Sequence, residues 1–134
     1  MRLLLAGLLA VLTSGCSSAY YAGRRLHRSD SVPEAVGVAS FKALAGGETL
    51  IELRVRRLGD PESLTPPGYA YVTWVRPDSD EPPVNVGSLY LDSDDGAQLR
   101  AKTPLKRFEV FVTAEPAGDV ESPRGERLLW ARRD

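Results

Sequence analysis

The stretch Thr49-Leu50-Ile51-Glu52-Leu53-Arg54-Val55-Arg56 decides the fold of this chain. Apolar side chains occupy positions 51, 53 and 55, and charged side chains occupy positions 52, 54 and 56. An alternation with a period of two is typical of a strand that has one face in a core and the other in water. The pattern predicts such a strand over Thr49–Leu58.

The same pattern extends on both sides of this stretch. The predicted strands are Val36–Leu44, Thr49–Leu58, Tyr69–Val75, Val84–Leu91, Ala97–Lys102, Leu105–Glu115 and Arg127–Ala131. Turn residues separate them about every 8 to 12 positions, as in β-sandwiches, and no helical periodicity interrupts them. We expect an all-β fold, an antiparallel, immunoglobulin-like β-sandwich of about seven strands formed by one domain over residues 34–134.

The N-terminus has a different composition. Arg2 precedes the apolar run Leu3–Leu12, which as a helix would span ~15 Å, about half of the ~30 Å hydrocarbon core of a bilayer. The following Thr13-Ser14-Gly15-Cys16 resembles the lipobox of bacterial lipoproteins, in which the cysteine is acylated and the preceding peptide is removed. The resemblance implies that residues 1–15 are a signal peptide cleaved between Gly15 and Cys16. An ordinary secretory signal, or an apolar N-terminus without a targeting role, are the alternatives.

Cys16 is the only cysteine in the chain, so no internal disulfide can form. Acyl chains on Cys16 would anchor the protein to membrane lipid. Ser17 follows, and in lipoproteins of bacteria with two membranes the resemblance then implies the outer membrane; with one membrane, the domain would lie on the outer face of the cell. Residues 16–33 are predicted to be a flexible tether. Its basic residues, Arg24, Arg25, His27 and Arg28, fit either a solvated linker, which we favour, or attraction to anionic headgroups.

Composition excludes several functions. The formal net charge is −1, whereas nucleic-acid-binding domains are normally basic, so we expect no nucleic-acid partner. His27 is the only histidine and lies in the predicted tether, which leaves the domain without a histidine for a metal site or a serine triad.

Three groups of side chains were considered as sites. The run Asp92-Ser93-Asp94-Asp95-Gly96 departs from the calcium-loop pattern and favours a hairpin turn. Glu109, with Glu115 or Glu52, could form a pair of catalytic carboxylates, but we expect them on solvent faces, paired with Arg54, Arg56 and Arg107. We therefore expect no catalysis, no cofactor and no metal.

Aromatic residues of the third strand are the remaining group. Trp74 is expected in the core, since aromatic side chains at strand spacing usually pack. Tyr69 and Tyr71 share the other face and are the best candidates for an exposed binding surface.

Residues 69 to 130 also resemble the extracytoplasmic domain of the anti-sigma-K factor family. The matching segments are Tyr69–Val75, Gly87, the turn Asp92–Gly96, Val112–Gly118 and Ser122–Gly125. The resemblance implies an antiparallel sandwich outside the cytoplasm. The sigma-binding domain of that family has no counterpart in this sequence, so sigma-factor binding is not implied.

These features together predict a lipid-anchored lipoprotein of the cell envelope that acts as a non-catalytic binding or structural module. The alternative is an extracytoplasmic sensor that works with a membrane-bound anti-sigma partner. In either case an envelope protein is a possible partner.

Overall fold

The computed structural model describes residues 23–92 and 95–134. The predicted signal peptide, its cleavage site at Gly15 and Cys16, and the first part of the predicted tether lie outside the described residues. Within the described ranges, no helix is long and apolar enough to cross a membrane.

Ten strands and one short 3-10 helix, Pro61–Ser63, make up the regular structure of the described residues. The strands are β1 (Arg24–Arg25), β2 (His27–Arg28), β3 (Val36–Ala43), β4 (Thr49–Arg56), β5 (Ala70–Pro77), β6 (Val84–Ser88), β7 (Tyr90–Leu91), β8 (Gly96–Thr103), β9 (Phe108–Glu115) and β10 (Leu129–Arg133).

The strands form two antiparallel sheets of five. Sheet A has the order β1-β3-β4-β8-β7, and sheet B has the order β2-β10-β9-β5-β6. Because β1, β2 and β7 have only two residues each, seven longer strands remain. The predicted antiparallel β-sandwich of about seven strands is therefore confirmed.

The main core lies between the sheets. Its side chains from β4 are Ile51, Leu53 and Val55, the apolar half of the alternating stretch, and all three are fully buried. Sheet B contributes Tyr71 and Val75 from β5 and a further set from β9 and β10. The alternation in Thr49–Arg56 thus has the predicted consequence, with one face in the core and the other in water.

The chain passes from one sheet to the other at two places. Between β1 and β2, the buried Leu26 donates its N–H to the carbonyl oxygen of Gly37 (2.9 Å). Between β6 and β7, the buried Leu89 donates its N–H to the carbonyl oxygen of Tyr71 (2.8 Å). Each crossing supplies one short edge strand to each sheet. These edge strands form hydrogen bonds with backbone N–H and C=O groups of the longer strands next to them, which would otherwise lack partners.

These crossings correct two predictions. The tether predicted for residues 16–33 is wrong from Gly23 onward, because β1 and β2 pair with β3 and β10, and Val32 is buried in the core. The single strand predicted over Val84–Leu91 is two strands. In both places a single leucine is buried and its two neighbours are not. One buried residue is too short a stretch to produce a period of two in the sequence.

A second, smaller core lies on the outer face of sheet B. It consists of Val72, Trp74 and Phe111, with Ala70, Val120 and Trp130 packed against it. The loop between β9 and β10 supplies Val120 and is held to the sheet by the Asn85 side-chain amide. That amide donates to the carbonyl oxygens of Gly118 (2.9 Å) and Val120 (3.0 Å).

Candidate functional site

The outer face of sheet A carries a concentration of positive charge. We call it the basic face and define it by six side chains: Arg25, Lys42, Arg54, Arg56, Arg100 and Lys102. All six are exposed. Among the strand positions that point to this face, Glu52 is the one carboxylate, and it lies 3.7 Å from Arg100.

Strand register brings these side chains together from four separate strands. Arg25 pairs with Val38, Val38 with Arg54, and Arg54 with Gln98, which in turn pairs with Tyr90. One row across the sheet therefore joins two arginines to an exposed tyrosine. Lys42 and Lys102 lie opposite Leu50, four residue pairs further along the strands on the same face.

An open groove of about 640 Å³ runs over part of the basic face. Its polar lining consists of Arg25, Arg54, Arg56, Asp92 and Gln98. The three guanidinium groups suit anionic oxygen ligands such as phosphate or carboxylate.

The arginines on the outer face of sheet B pair with carboxylates. Arg76 and Arg127 both donate to Glu109, at 2.7 and 2.8 Å. Arg132 donates to Asp78 (2.7 Å), and this hydrogen bond is the main cause that raises the pKa of Arg132. On the outer face of sheet A basic side chains outnumber carboxylates, although the whole chain has a net charge of −1.

Arginine and aromatic side chains also stack on the outer face of sheet B. The Arg127 guanidinium lies 4.1 Å from the ring centroid of Trp130, and Arg76 lies 5.5 Å from that of Phe111. The His27 ring also stacks on the Trp130 ring, with 5.7 Å between the ring centroids. These contacts cover the second core, so we interpret this face as structural.

The carboxylates considered for catalysis are engaged elsewhere. Glu109 and Glu115 are buried, which corrects their predicted place on solvent faces. Glu109 lies in sheet B, away from Arg54 and Arg56, and each of its oxygens accepts from a different arginine. Glu52, by contrast, makes the predicted kind of cross-strand pair, with Arg100.

Glu115 holds the end of the loop between β9 and β10. Its carboxylate is 1% exposed and accepts hydrogen bonds from the backbone N–H groups of Arg124 (2.6 Å) and Gly125 (3.1 Å). Gly125 has no room for a side chain, since a Cβ there would lie 2.6 Å from the carbonyl oxygen of Ala114. The Glu-Pro-x-Gly and Ser-Pro-Arg-Gly segments therefore act together as a structural clamp.

The prediction that Tyr69 and Tyr71 share an exposed face is wrong for Tyr71. Tyr69 is 72% exposed, as predicted, but Tyr71 is 1% exposed because β5 turns its ring into the main core. The Tyr71 hydroxyl donates to the carbonyl oxygen of Gly59 (2.9 Å). Trp74 is in a core, as predicted, but in the second one.

The buried hydroxyl of Tyr71 gives stability a pH dependence. Burial, together with the nearby Asp60, raises the pKa of Tyr71 from 10.0 to about 12. In this interval the unfolded chain has lost the phenolic proton and the native chain retains it, so the free energy of unfolding falls as pH rises. We expect the free energy of unfolding to fall by up to about 2 kcal/mol between pH 10 and 12. Chemical denaturation at a series of pH values measures this loss. Tyr71→Phe should lack this component; an unchanged pH slope in the variant would exclude Tyr71 as its source.

The predicted hairpin turn after Leu91 is confirmed. Asp92 donates its N–H to the carbonyl oxygen of Gly96 (2.9 Å), and the Asp92 carboxylate accepts from the N–H of Gly96 (3.1 Å). Asp94, also named in this turn, lies outside the described residues. Among the residues that are described, no group of three or more His, Cys, Asp or Glu side chains is placed to hold a metal.

The basic face was not predicted from the sequence, although a signal for it exists. In three predicted strands the lysines and arginines alternate with the apolar residues, which indicates that they face solvent. Periodicity does not show which strands are neighbours. The adjacency of β3, β4 and β8, and the addition of Arg25 from the predicted tether, come from the fold.

Comparison of the chain with family models, with curated proteins and with solved structures gives no match.

Proposed function

We propose that this protein is a lipid-anchored lipoprotein of the cell envelope and works there as a non-catalytic binding module. The Thr13-Ser14-Gly15-Cys16 segment supports export and acylation. The anchor would be the acylated Cys16, and the binding part would be the β-sandwich.

The observation that carries this proposal is the point at which the chain joins the sandwich. Gly23 already lies against sheet A, where a Cβ on it would be 3.1 Å from the Cβ of Val38. The segment from Cys16 to Gly23 reaches at most about 25 Å, even when fully extended. An anchor at Cys16 would therefore keep the sandwich next to the membrane, which suits a module that acts at that surface.

The engagement of the carboxylates supports a non-catalytic role. A general acid or base needs an oxygen that can reach the substrate. Both oxygens of Glu109 are held by arginines, and the carboxylate of Glu115 is buried on backbone amides. Each of these carboxylates has a structural task that occupies it.

Replacing Cys16 with Ala tests the anchor. We expect the variant to lose labelling by a clickable fatty acid, because the thiol that accepts the acyl chain is absent. The variant should also either retain residues 1–15, the predicted signal peptide, or be released from the membrane fraction that contains the parent protein. Mass spectrometry of the N-terminus and fractionation of intact cells measure both effects.

A Ser17→Ala variant is the matched control, since it alters the neighbouring residue and keeps the thiol; it should remain acylated. Equal fatty-acid labelling of the Cys16→Ala variant and the parent would contradict acylation at this residue.

A further inference from the structure

We propose that the basic face of sheet A lies against the anionic surface of the membrane, where its arginines and lysines bind lipid phosphate groups. This inference deepens the proposed function and rests on it, since the anchor brings the face to the lipid. It assigns the contact surface and the class of ligand.

Charge complementarity is the first argument. Six basic side chains and one carboxylate, Glu52, share the strand positions of this face, and Asp92 lies at its edge, so basic side chains outnumber carboxylates there. A basic residue near an anionic bilayer strengthens binding about fivefold. Several acting together select one orientation of the domain.

Shape is the second argument. The cations are distributed over four rows of strand register, from Arg56 near one end of the sheet to Lys102 near the other. At strand spacings these rows extend about 20 Å along the strands, and the four strands extend about 15 Å across them. An area of this size on a sheet face can contact several headgroups at once.

The path of the chain is the third argument. Gly23, the first described residue, lies beside Val38 of the outer face and lines the groove together with Arg25 and Arg54. The segment from Cys16 to Gly23 reaches at most about 25 Å, so an anchor at Cys16 would lie within that distance of the groove. Acyl chains inserted in the bilayer would then keep the basic face close to the headgroups.

A second copy of the chain is a poorer occupant of this surface. Two basic faces that met across a symmetric interface would place like charges opposite one another, which opposes association. An anionic lipid surface has the complementary sign.

Two exposed tyrosines allow a test within one molecule. Tyr90 is 67% exposed and lies beside the basic face, in the row of Arg25 and Arg54, whereas Tyr69 is 72% exposed and precedes a strand of sheet B. The full-length protein, purified from membranes, is reconstituted into phosphatidylcholine vesicles or into vesicles of equal parts phosphatidylcholine and phosphatidylglycerol. Enzymatic iodination then reports, by mass spectrometry, how accessible each tyrosine is.

We expect the ratio of Tyr90 to Tyr69 iodination to fall on the order of tenfold on the anionic vesicles, and to recover at high salt. A ratio that is the same on both vesicles would overturn the proposal. So would protection of Tyr90 on both kinds of vesicle, which would indicate a second copy or a protein partner as the occupant.

A charge-reversal pair identifies the cations responsible. Lys42→Glu with Lys102→Glu replaces two of the six basic side chains of the face with carboxylates, and we expect the Tyr90 protection of this variant to drop to about twofold or less. Lys106→Glu with Arg107→Glu makes the same change of charge on an exposed loop between β8 and β9, and should retain the protection. Equal behaviour of the two variants would contradict binding through the basic face.

Failure of the anchor and failure of the face give different results. Mass spectrometry of Cys16 reports whether the protein is acylated. An acylated protein whose Tyr90 is unprotected keeps the proposed function and loses this inference. Circular dichroism of each variant verifies that the sandwich is intact.

Discussion

Replacing Trp74 with Ala is expected to lower the free energy of unfolding by about 3–5 kcal/mol, the cost of removing a large buried aromatic side chain from a core. Trp74 is fully buried on the outer face of sheet B, where its indole stacks against Phe111 at 6.5 Å. Its Nε1–H also donates to the Thr113 hydroxyl (2.8 Å), a bond that the substitution removes. Denaturant titration followed by circular dichroism measures the loss.

The other tryptophan is the matched control. Trp130 packs at the margin of the same core and is partly exposed. Its replacement with Ala should cost about half as much, because less apolar area leaves water when it folds. Equal losses at the two positions would contradict a second core centred on Trp74.

Replacing Glu115 with Ala is expected to cost about 3 kcal/mol, since it leaves the N–H groups of Arg124 and Gly125 without their acceptor. Glu115→Gln should cost about half of that, because its amide oxygen still accepts a hydrogen bond but carries no charge. Thermal unfolding of the three proteins provides the comparison.

An exposed carboxylate in the same loop provides the control for this prediction. Glu121 lies six residues further along, in the loop whose end Glu115 clamps. Glu121→Gln should change stability by less than about 0.5 kcal/mol, as expected for a surface position. If Glu115→Ala were as mild as Glu121→Gln, the clamp would have no energetic importance.

The two predictions concern one structural unit, the long loop between β9 and β10 and the sheet face that it covers. Trp74 supplies the apolar surface, and Glu115 fixes the far end of the loop by its backbone. The segments Val112–Gly118 and Ser122–Gly125 gave the most specific resemblance to the anti-sigma-K family. In this chain Glu115 of the first segment accepts hydrogen bonds from the backbone of Arg124 and Gly125 in the second, so the resemblance in these segments indicates a way of holding a loop. The family relationship and the sensor alternative stay predictions.

Much of the fold could be predicted because strands leave a local signal. The period of two in Thr49–Arg56 depends on adjacent residues alone, and it correctly assigned Ile51, Leu53 and Val55 to the core. Short crossings leave no such signal. Leu26 and Leu89 each act as a single buried residue between two sheets, so the strands beside them were missed or merged.

The candidate site was less accessible to prediction. Tyr71 was predicted to lie on a surface. Alternation separates the two faces of a strand but does not show which face is covered, and both faces of β5 are buried in sheet B. Glu109 and Glu115 were expected in water because a carboxylate normally is, and their partners, Arg127 and the amide of Gly125, come from the loop between β9 and β10.

The sequence by itself determined the positions of the longer strands, the alternation in Thr49–Arg56 that makes one face of β4 apolar, and the polar character of the opposite face, since these follow from the order of neighbouring residues. The tertiary structure alone decided that Arg25, Lys42, Arg54 and Lys102 share one surface, because they come from four strands whose adjacency is set by long-range backbone pairing. It also decided that Gly23 lies beside that surface. Residues far apart in the chain become a basic face only when the sheet that carries them has formed.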